Sequence, residues 1–282
     1  MICFHHNDLD GRCCAAILRY RFDDSVRMYE INYNMDFPLH LVAQGEDVFL
    51  VDFTPQRTQF ERVVETANRT VWIDHHWSAV SKFQNMAYLP GLRTNTKPAA
   101  CYLTWQWAFP DRSIPKSVFL ISKFDTWDFE EGDQVEHFMH GMRGYDSTPQ
   151  ASIWDVLLRN SKNAELISRI QQEGKAVGRA FKYWSRDYYR AFGYECEWEG
   201  YHCIVCNVAM LGSKFFDLIK QTHDHDIMVS YVHDGNGFSV SLHSEDPDIN
   251  VSTIAVGYGG GGHPGAAGFQ CKKLPFRPEK DD

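Results

Sequence analysis

The chain reads as a two-domain α/β protein, an N-terminal doubly wound parallel sheet followed by a smaller C-terminal α/β domain. Three observations carry this expectation. Apolar strand-like runs that end in acids and imidazoles alternate with helix-like stretches along the first part of the chain. A mostly helical, amphipathic region with no turn cluster then occupies 150–192. From Tyr194 the texture changes to short strands that finish in a glycine-rich segment. The organisation expected is therefore 1–150 as the first domain, 151–192 as a helical connector, 193–274 as the second domain and 275–282 as a tail.

Met1 to His6 alternates as a strand and runs into His6-Asn7-Asp8-Leu9-Asp10-Gly11, a turn rich in acids. Cys13 to Arg21 then has helical spacing, with Cys14, Ile17, Leu18 and Phe22 on one face. Val26 to Tyr33 is the second strand, and Asp47 to Phe53 the third, with Asp52 at its carboxyl end. Thr54 reads as the cap and Pro55 as the first residue of a helix that runs to Asn68. Thr70 to Ile73 is the next strand and ends in Asp74-His75-His76. Parallel strands place their carboxyl ends on one edge, so His6, Asp8, Asp10, Asp52, Asp74, His75 and His76 are expected to face one crevice. Ala99 to Trp107 reads as a buried helix, and Pro115 to Lys123 as a helix or strand that ends in Phe124-Asp125-Thr126-Trp127-Asp128, two acids in a loop.

In the second domain, strands are expected at 194–199, 201–208, 226–233 and 236–243, with a helix near 212–221. Asp234-Gly235-Asn236-Gly237 is a hairpin signal. The segment from Gly257 to Phe269 reads as a glycine loop, and the chain from Lys272 to Asp282 as a frayed tail.

With 282 residues, 44% of them hydrophobic and 23% charged, the chain can bury a full core. It holds no apolar run of about eighteen residues and no charged start leading into an apolar signal core, so a soluble cytoplasmic protein without a membrane partner is expected. Its 8 cysteines read as free thiols. Cys203 and Cys206 have zinc-knuckle spacing, but a strand sends their side chains apart and no second pair stands at similar spacing. The net charge of −9 argues against a broad basic face that coats long nucleic acid. It leaves open a phosphate-bearing substrate, because bound divalent cations invert the field of a carboxylate cluster.

Aspartates with histidines are hard-oxygen and borderline-nitrogen donors, suited to Mn²⁺, Fe²⁺ or Zn²⁺ rather than Ca²⁺. His6, Asp8 and Asp10, with Asp52, His75 and Asp125, supply enough donors for two metal ions about 3.5–4 Å apart bridged by one carboxylate. An acid from a central strand is the best bridge, and Asp52 fits. Such a pair activates a water for in-line displacement at phosphorus. Clustered carboxylates are costly without a cation, whereas Asp128 alone reads equally well as a cap or surface acid. The Gly259–Gly262 run lets backbone N–H groups approach an anion, and His263 directly after it points to ligand contact.

Taken together, His6-Asn-Asp-Leu-Asp-Gly11, Val51-Asp52-Phe53, Asp74-His75-His76 and the stretch Gly259 to Gly268 resemble the successive motifs of the DHH phosphoesterase superfamily, the last of them that of its DHHA1 branch. The motifs stand in the family order and span nearly the whole chain. The resemblance implies an Mn²⁺-dependent phosphohydrolase, with Mg²⁺, Co²⁺ or Fe²⁺ as alternative metals and the site in the cleft between a catalytic first domain and a substrate-binding second one. It implies one metal on His6, Asp8 and Asp52 and another on Asp10, Asp52, His75 and Asp125. It further implies Asp74 orienting the histidines, His76 touching the scissile phosphate, and Gly260, Gly261, Gly262 and His263 holding the far end of the substrate. Where similar chains often carry an arginine, this one has His243, which is charged only in part near neutrality.

The substrate class expected is short oligonucleotides, as for nanoRNase-like enzymes related to RecJ-type nucleases, with a homodimer as the assembly considered. The alternatives are an exonuclease on longer single-stranded DNA, a phosphohydrolase of cyclic dinucleotides or of 3′-phosphoadenosine 5′-phosphate, and a non-catalytic nucleotide-binding protein on the same fold.

Overall fold

The apolar run Ile2–His6 forms strand β1 of the computed structural model, which describes residues 1–33, 35–159, 163–209 and 211–277. Helix α1 (Leu9–Phe22) follows, then β2 (Arg27–Ile31), β3 (Asp47–Val51), α2 (Arg57–Thr66), β4 (Arg69–Ile73) and α3 (Trp77–Lys82). The four strands make one all-parallel sheet in the order β2-β1-β3-β4. The order reverses between β1 and β3, the place where open α/β sheets bind ligands beyond the strand ends.

Why the sheet is wound on both faces is visible in its residues. Strand side chains alternate between faces, and here both sets are apolar. Cys3, Phe49, Val51, Val71 and Ile73 enter one core with Ile17 and Leu18 of α1, and Ile2, Phe4, Val48, Leu50 and Trp72 enter another with Phe60 of α2. The first core is completed by α4 (Ala100–Ala108), α5 (Lys116–Asp125), α6 (Asp133–Met142), α7 (Ile153–Leu157) and the start of α8 (Ala164–Phe192).

The chain divides into two units, Met1–Val177 and Gly178–Asp282, with the division inside α8. The second unit continues with β5 (Gly193–Trp198), β6 (Tyr201–Asn207), β7 (Ile227–His233), β8 (Phe238–His243), α9 (Val251–Gly257), β9 (Gly261–His263) and β10 (Ala266–Cys271). Its sheet has the order β5-β6-β7-β8-β10-β9, antiparallel except for the β6–β7 pair. Cys203 and Cys206 lie on opposite faces of β6, each in a different apolar cluster, as strand geometry requires of residues three apart.

Several expectations are corrected. Helix α2 starts at Arg57 and ends at Thr66, and Thr54 does not cap it, because the Thr54 hydroxyl is taken by the Asp74 carboxylate. The helix near 212–221 is a single 3₁₀ turn, Ser213–Phe216, which seats Phe215 and Phe216 in the core. The glycine loop contains a strand: β9 pairs with β10 as an edge hairpin. Here glycine has a packing reason, since a Cβ on Gly262 would lie 2.6 Å from the Ala266 carbonyl oxygen, with φ at 143°. The tail is anchored at Phe276, which is buried and packs at 5.2 Å from the Trp198 ring. The frayed end expected at 278–282 lies outside the described residues. Among the described residues no helix is long and apolar enough to cross a membrane.

Candidate metal centre

The candidate centre is built at the carboxyl ends of β1, β3 and β4. After His6 the chain turns at once into α1, and Asp8 is its N-cap, with one carboxylate oxygen accepting the Gly11 N–H at 2.9 Å. A side chain at Gly11 would put its Cβ 2.4 Å from the His6 carbonyl oxygen, so glycine is what allows this close return. The other Asp8 oxygen lies 2.7 Å from His6 Nδ1. Asp10 stands in the first turn of α1, and both of its oxygens accept backbone N–H groups from the start of α4, Ala100 and Cys101, each at 2.9 Å. A helix N-terminus thus supports this carboxylate, with the helix dipole favouring its charge.

Asp52 follows β3 with φ at 55°, the left-handed region that costs a non-glycine residue about 1–3 kcal/mol. The turn carries its carboxylate into the centre of the cluster. Ligand-capable atoms of His6, Asp8 and Asp52 lie within 4.8 Å of one another, as do those of Asp10, Asp52 and His75, and those of Asp52, Asp74 and His76. Asp52 is the one member common to these three groups. It is 1% exposed, and neither oxygen makes a hydrogen bond among the described residues, although His75 Nε2 lies 3.4 Å from Oδ1.

Asp125 closes α5 and reaches His75 Nε2 at 3.0 Å. Asp128 goes elsewhere, accepting Lys123 Nζ at 2.7 Å and Lys97 Nζ at 2.9 Å. Of the two acids the sequence left in competition, the geometry brings Asp125 to the cluster and gives Asp128 to lysines. The two asparagine variants should therefore separate. Asp125→Asn is expected to weaken Mn²⁺ binding at least about tenfold, as removal of a ligand or its close support does. Asp128→Asn should keep Mn²⁺ affinity while lowering stability by about 1–2 kcal/mol through lost charge-assisted hydrogen bonds. Calorimetric Mn²⁺ titration and denaturant unfolding of both variants check this, and equal effects would overturn the distinction.

The electrostatics follow from burial and crowding. Burial, then the neighbouring Asp10 and Asp8, push the Asp52 carboxyl well above its usual range. Burial followed by Asp125 pushes Asp10 up to about 6. The histidines move the other way from buried imidazoles in apolar surroundings. Burial opposes their protonation, but Asp8 and other acids hold His6 at about 9, and Asp125 and Asp52 raise His75 as well. This is a site in which negative charge is in excess and a proton stands in where a cation belongs.

Asp74 sits behind the cluster and is fully buried. Its Oδ1 lies 2.8 Å from His76 Nδ1 and accepts the His76 N–H at 2.9 Å, while its Oδ2 accepts the Thr54 hydroxyl at 2.5 Å. Thr54 in turn accepts the indole N–H of Trp72 at 2.8 Å. This chain from the sheet core to His76 was not foreseen, because Thr54-Pro55 has the local signature of a helix start. The Ala100 and Cys101 amides were also unforeseen, since backbone groups leave no trace in residue types.

The remaining site residues lie in the second unit. His243 ends β8, with its Nε2 buried and without a hydrogen-bond partner among the described residues. Burial lowers its pKa to about 4, so it is a neutral imidazole at physiological pH rather than the partly charged one expected. Gly261, Gly262 and His263 form β9, and Ala266 of β10 is in register with both His263 and His243. Gly260 precedes β9, where a Cβ would meet the Gly268 carbonyl oxygen at 2.0 Å.

Comparison with known proteins agrees with this architecture. Residues 210–280 match the family model of the DHHA1 domain. The chain is 23% identical over 297 residues to oligoribonuclease NrnB of Bacillus subtilis, covering 94% of this chain and 71% of that protein. An uncharacterized protein of Acanthamoeba polyphaga mimivirus is 22% identical over 263 residues, covering 89% of this chain and 59% of its own length. Among solved structures, the DHH domain of a member of the s1p family of ribosomal proteins superposes with a TM-score of 0.59 at 13% identity, covering 95% of this chain and 82% of that one. The pGpG-specific phosphodiesterase PggH of Vibrio cholerae superposes with a TM-score of 0.52 at 13% identity, covering 96% and 93%. Residues 210–280 thus carry the pattern of a DHHA1 domain, and the chain is similar in sequence or fold to these proteins over most of its length.

Proposed function

We propose that the chain is a divalent-metal-dependent phosphodiesterase of short oligonucleotides, with Mn²⁺ as the working metal. The observation that carries this is Asp52, a buried carboxylate with both oxygens lacking hydrogen bonds among the described residues, shared by three groups of metal-capable side chains. A carboxylate placed so is stable as an anion only beside a cation. The donor set of aspartates and histidines fits Mn²⁺ or a related ion. His6, Asp8 and Asp52 would hold one ion, and Asp10, Asp52, His75 and Asp125 a second. Bound there, the metal supplies Lewis-acid polarisation of the phosphoryl group and a more acidic water.

The chain's own residues do the rest. Asp74 fixes the ring of His76 so that it meets the scissile phosphate in one orientation. The amides at the start of α4 hold Asp10 in place without a mobile partner. In the second unit, the β9–β10 hairpin and His243 would bind a nucleotide through hydrogen bonds rather than through a full positive charge. The name of the Bacillus subtilis relative, an oligoribonuclease, supports the choice of short RNA.

The test is product analysis with Mn²⁺ on labelled di- to pentaribonucleotides, long single-stranded DNA, a cyclic dinucleotide and 3′-phosphoadenosine 5′-phosphate, with His75→Ala as the control. Cleavage confined to the shortest RNAs, abolished by the substitution, is the expected outcome. Preferred cleavage of long DNA, or no cleavage by protein with Mn²⁺ bound, would overturn the proposal.

A further inference from the structure

An exposed aromatic ring stands at the candidate metal centre with no part in holding it. Tyr33 lies just beyond the end of β2, and the residue is 55% exposed. Its centroid is 5.5 Å from that of His6 and 6.3 Å from that of His76. An aromatic face open to water this close to a functional centre is a surface on which a base can stack.

The ring is also held rigidly. It packs on Phe53 at 5.0 Å, Phe53 is stacked with Phe37 at 6.3 Å and an interplanar angle of 4°, and Phe37 contacts Phe4 at 4.7 Å. Phe53, Phe37 and Phe4 are buried members of the β-sheet core. Tyr33 is therefore the solvent-facing end of an aromatic ladder rooted in β1. A ring whose back is supported in this way loses little entropy when a flat partner lands on its open side.

We propose that Tyr33 stacks on the nucleobase adjoining the scissile phosphate, so that this centre selects nucleotide esters over inorganic or aliphatic phosphates. The assignment deepens the function proposed above and rests on it for the identity of the reacting bond. Stacking on an aromatic side chain is tolerant of base identity, since every base presents a π face. It thus gives a preference for nucleotides without a strong preference among the four.

The experiment compares a diadenosine ribonucleotide with its analogue lacking the base next to the scissile phosphate, both with Mn²⁺, in the unaltered protein, Tyr33→Leu and Tyr33→Phe. For the base-bearing substrate Tyr33→Leu is expected to raise KM about tenfold with little change in kcat, and Tyr33→Phe to recover most of that loss. The abasic substrate should show no such dependence on residue 33. A loss of equal size on both substrates, a shift in the Mn²⁺ affinity of Tyr33→Leu, or unchanged kinetics would overturn the assignment. Binding of a dinucleotide that carries 2-aminopurine separates this from failure of the proposed reaction. Quenching that disappears in Tyr33→Leu supports stacking even where no bond is cleaved, and quenching that persists overturns it.

Discussion

Asp52→Asn is expected to reduce phosphodiester hydrolysis on the order of 10³-fold, because it removes the group shared by both proposed metal positions and with it several kcal/mol of transition-state stabilisation. The same substitution should leave the metal-free protein as stable as before, or more stable by about 1–2 kcal/mol, since a buried carboxyl crowded by Asp10 and Asp8 is replaced by a neutral side chain. The two effects have opposite signs, which distinguishes a ligand from a structural residue. The sign with pH is also fixed. Burial, Asp10 and Asp8 raise the folded-state pKa of Asp52, so its favourable contribution exists below the ordinary carboxylate pKa and is lost as pH rises through the raised value. Asparagine has no such loss, and the stability advantage of the variant should grow from acid toward neutral pH in the presence of a chelator. Urea unfolding of both proteins across pH, together with Mn²⁺ calorimetry and hydrolysis rates, checks the set. A variant that binds Mn²⁺ normally, or that unfolds far more easily, would remove Asp52 from the role given to it.

How much of this was legible in the sequence depends on which physical signal each feature leaves. Strands β1, β3 and β4 were readable because each is a short apolar run ending at an imidazole or an acid, and both of their faces are buried, so they have no polar alternation to confuse with a solvent-exposed sheet. The convergence of His6, Asp8, Asp10, Asp52 and His75 followed from parallel topology alone. Asp125 was harder, because α5 runs two residues beyond the expected end at Lys123 and delivers Asp125 at its last residue, with Asp128 only three positions on. Lysines 97 and 123 decide between the acids, and Lys97 is remote in sequence. Thr54 misled because the residue pair Thr-Pro looks the same at a helix start and in a loop whose hydroxyl serves a buried carboxylate. In the second unit the glycines suggested a ligand loop, whereas close approach of β9 and β10 is enough to require Gly260 and Gly262. The neutral state of His243 depends on burial in three dimensions and has no counterpart in its neighbours along the chain.

Mn²⁺ binding should tighten steeply as pH rises toward 9, and the metal-free protein should lose stability over the same interval. Both follow from one proton. Although burial works against it, Asp8 and the neighbouring acids hold the His6 imidazole at about 9 instead of 6.5. A histidine whose folded pKa is raised stabilises the fold fully below 6.5, and that contribution fades as pH climbs through about 9. The loss is on the order of 3 kcal/mol for a shift of this size. A metal ligand must be the neutral imidazole, so binding near neutral pH has to expel that proton, and apparent affinity should rise by about tenfold per pH unit while it does. Asp10, pushed up to about 6 by burial and Asp125, adds a second competing proton at acid pH and makes the dependence steeper there. Calorimetric titration of Mn²⁺ at neutral pH in two buffers of different ionisation enthalpy counts the protons released, with at least one expected. Affinity that is flat with pH and release of no protons would mean that His6 does not hold the metal, whereas opposite trends of affinity and metal-free stability would mean that the cation takes the place His6 keeps occupied with a proton.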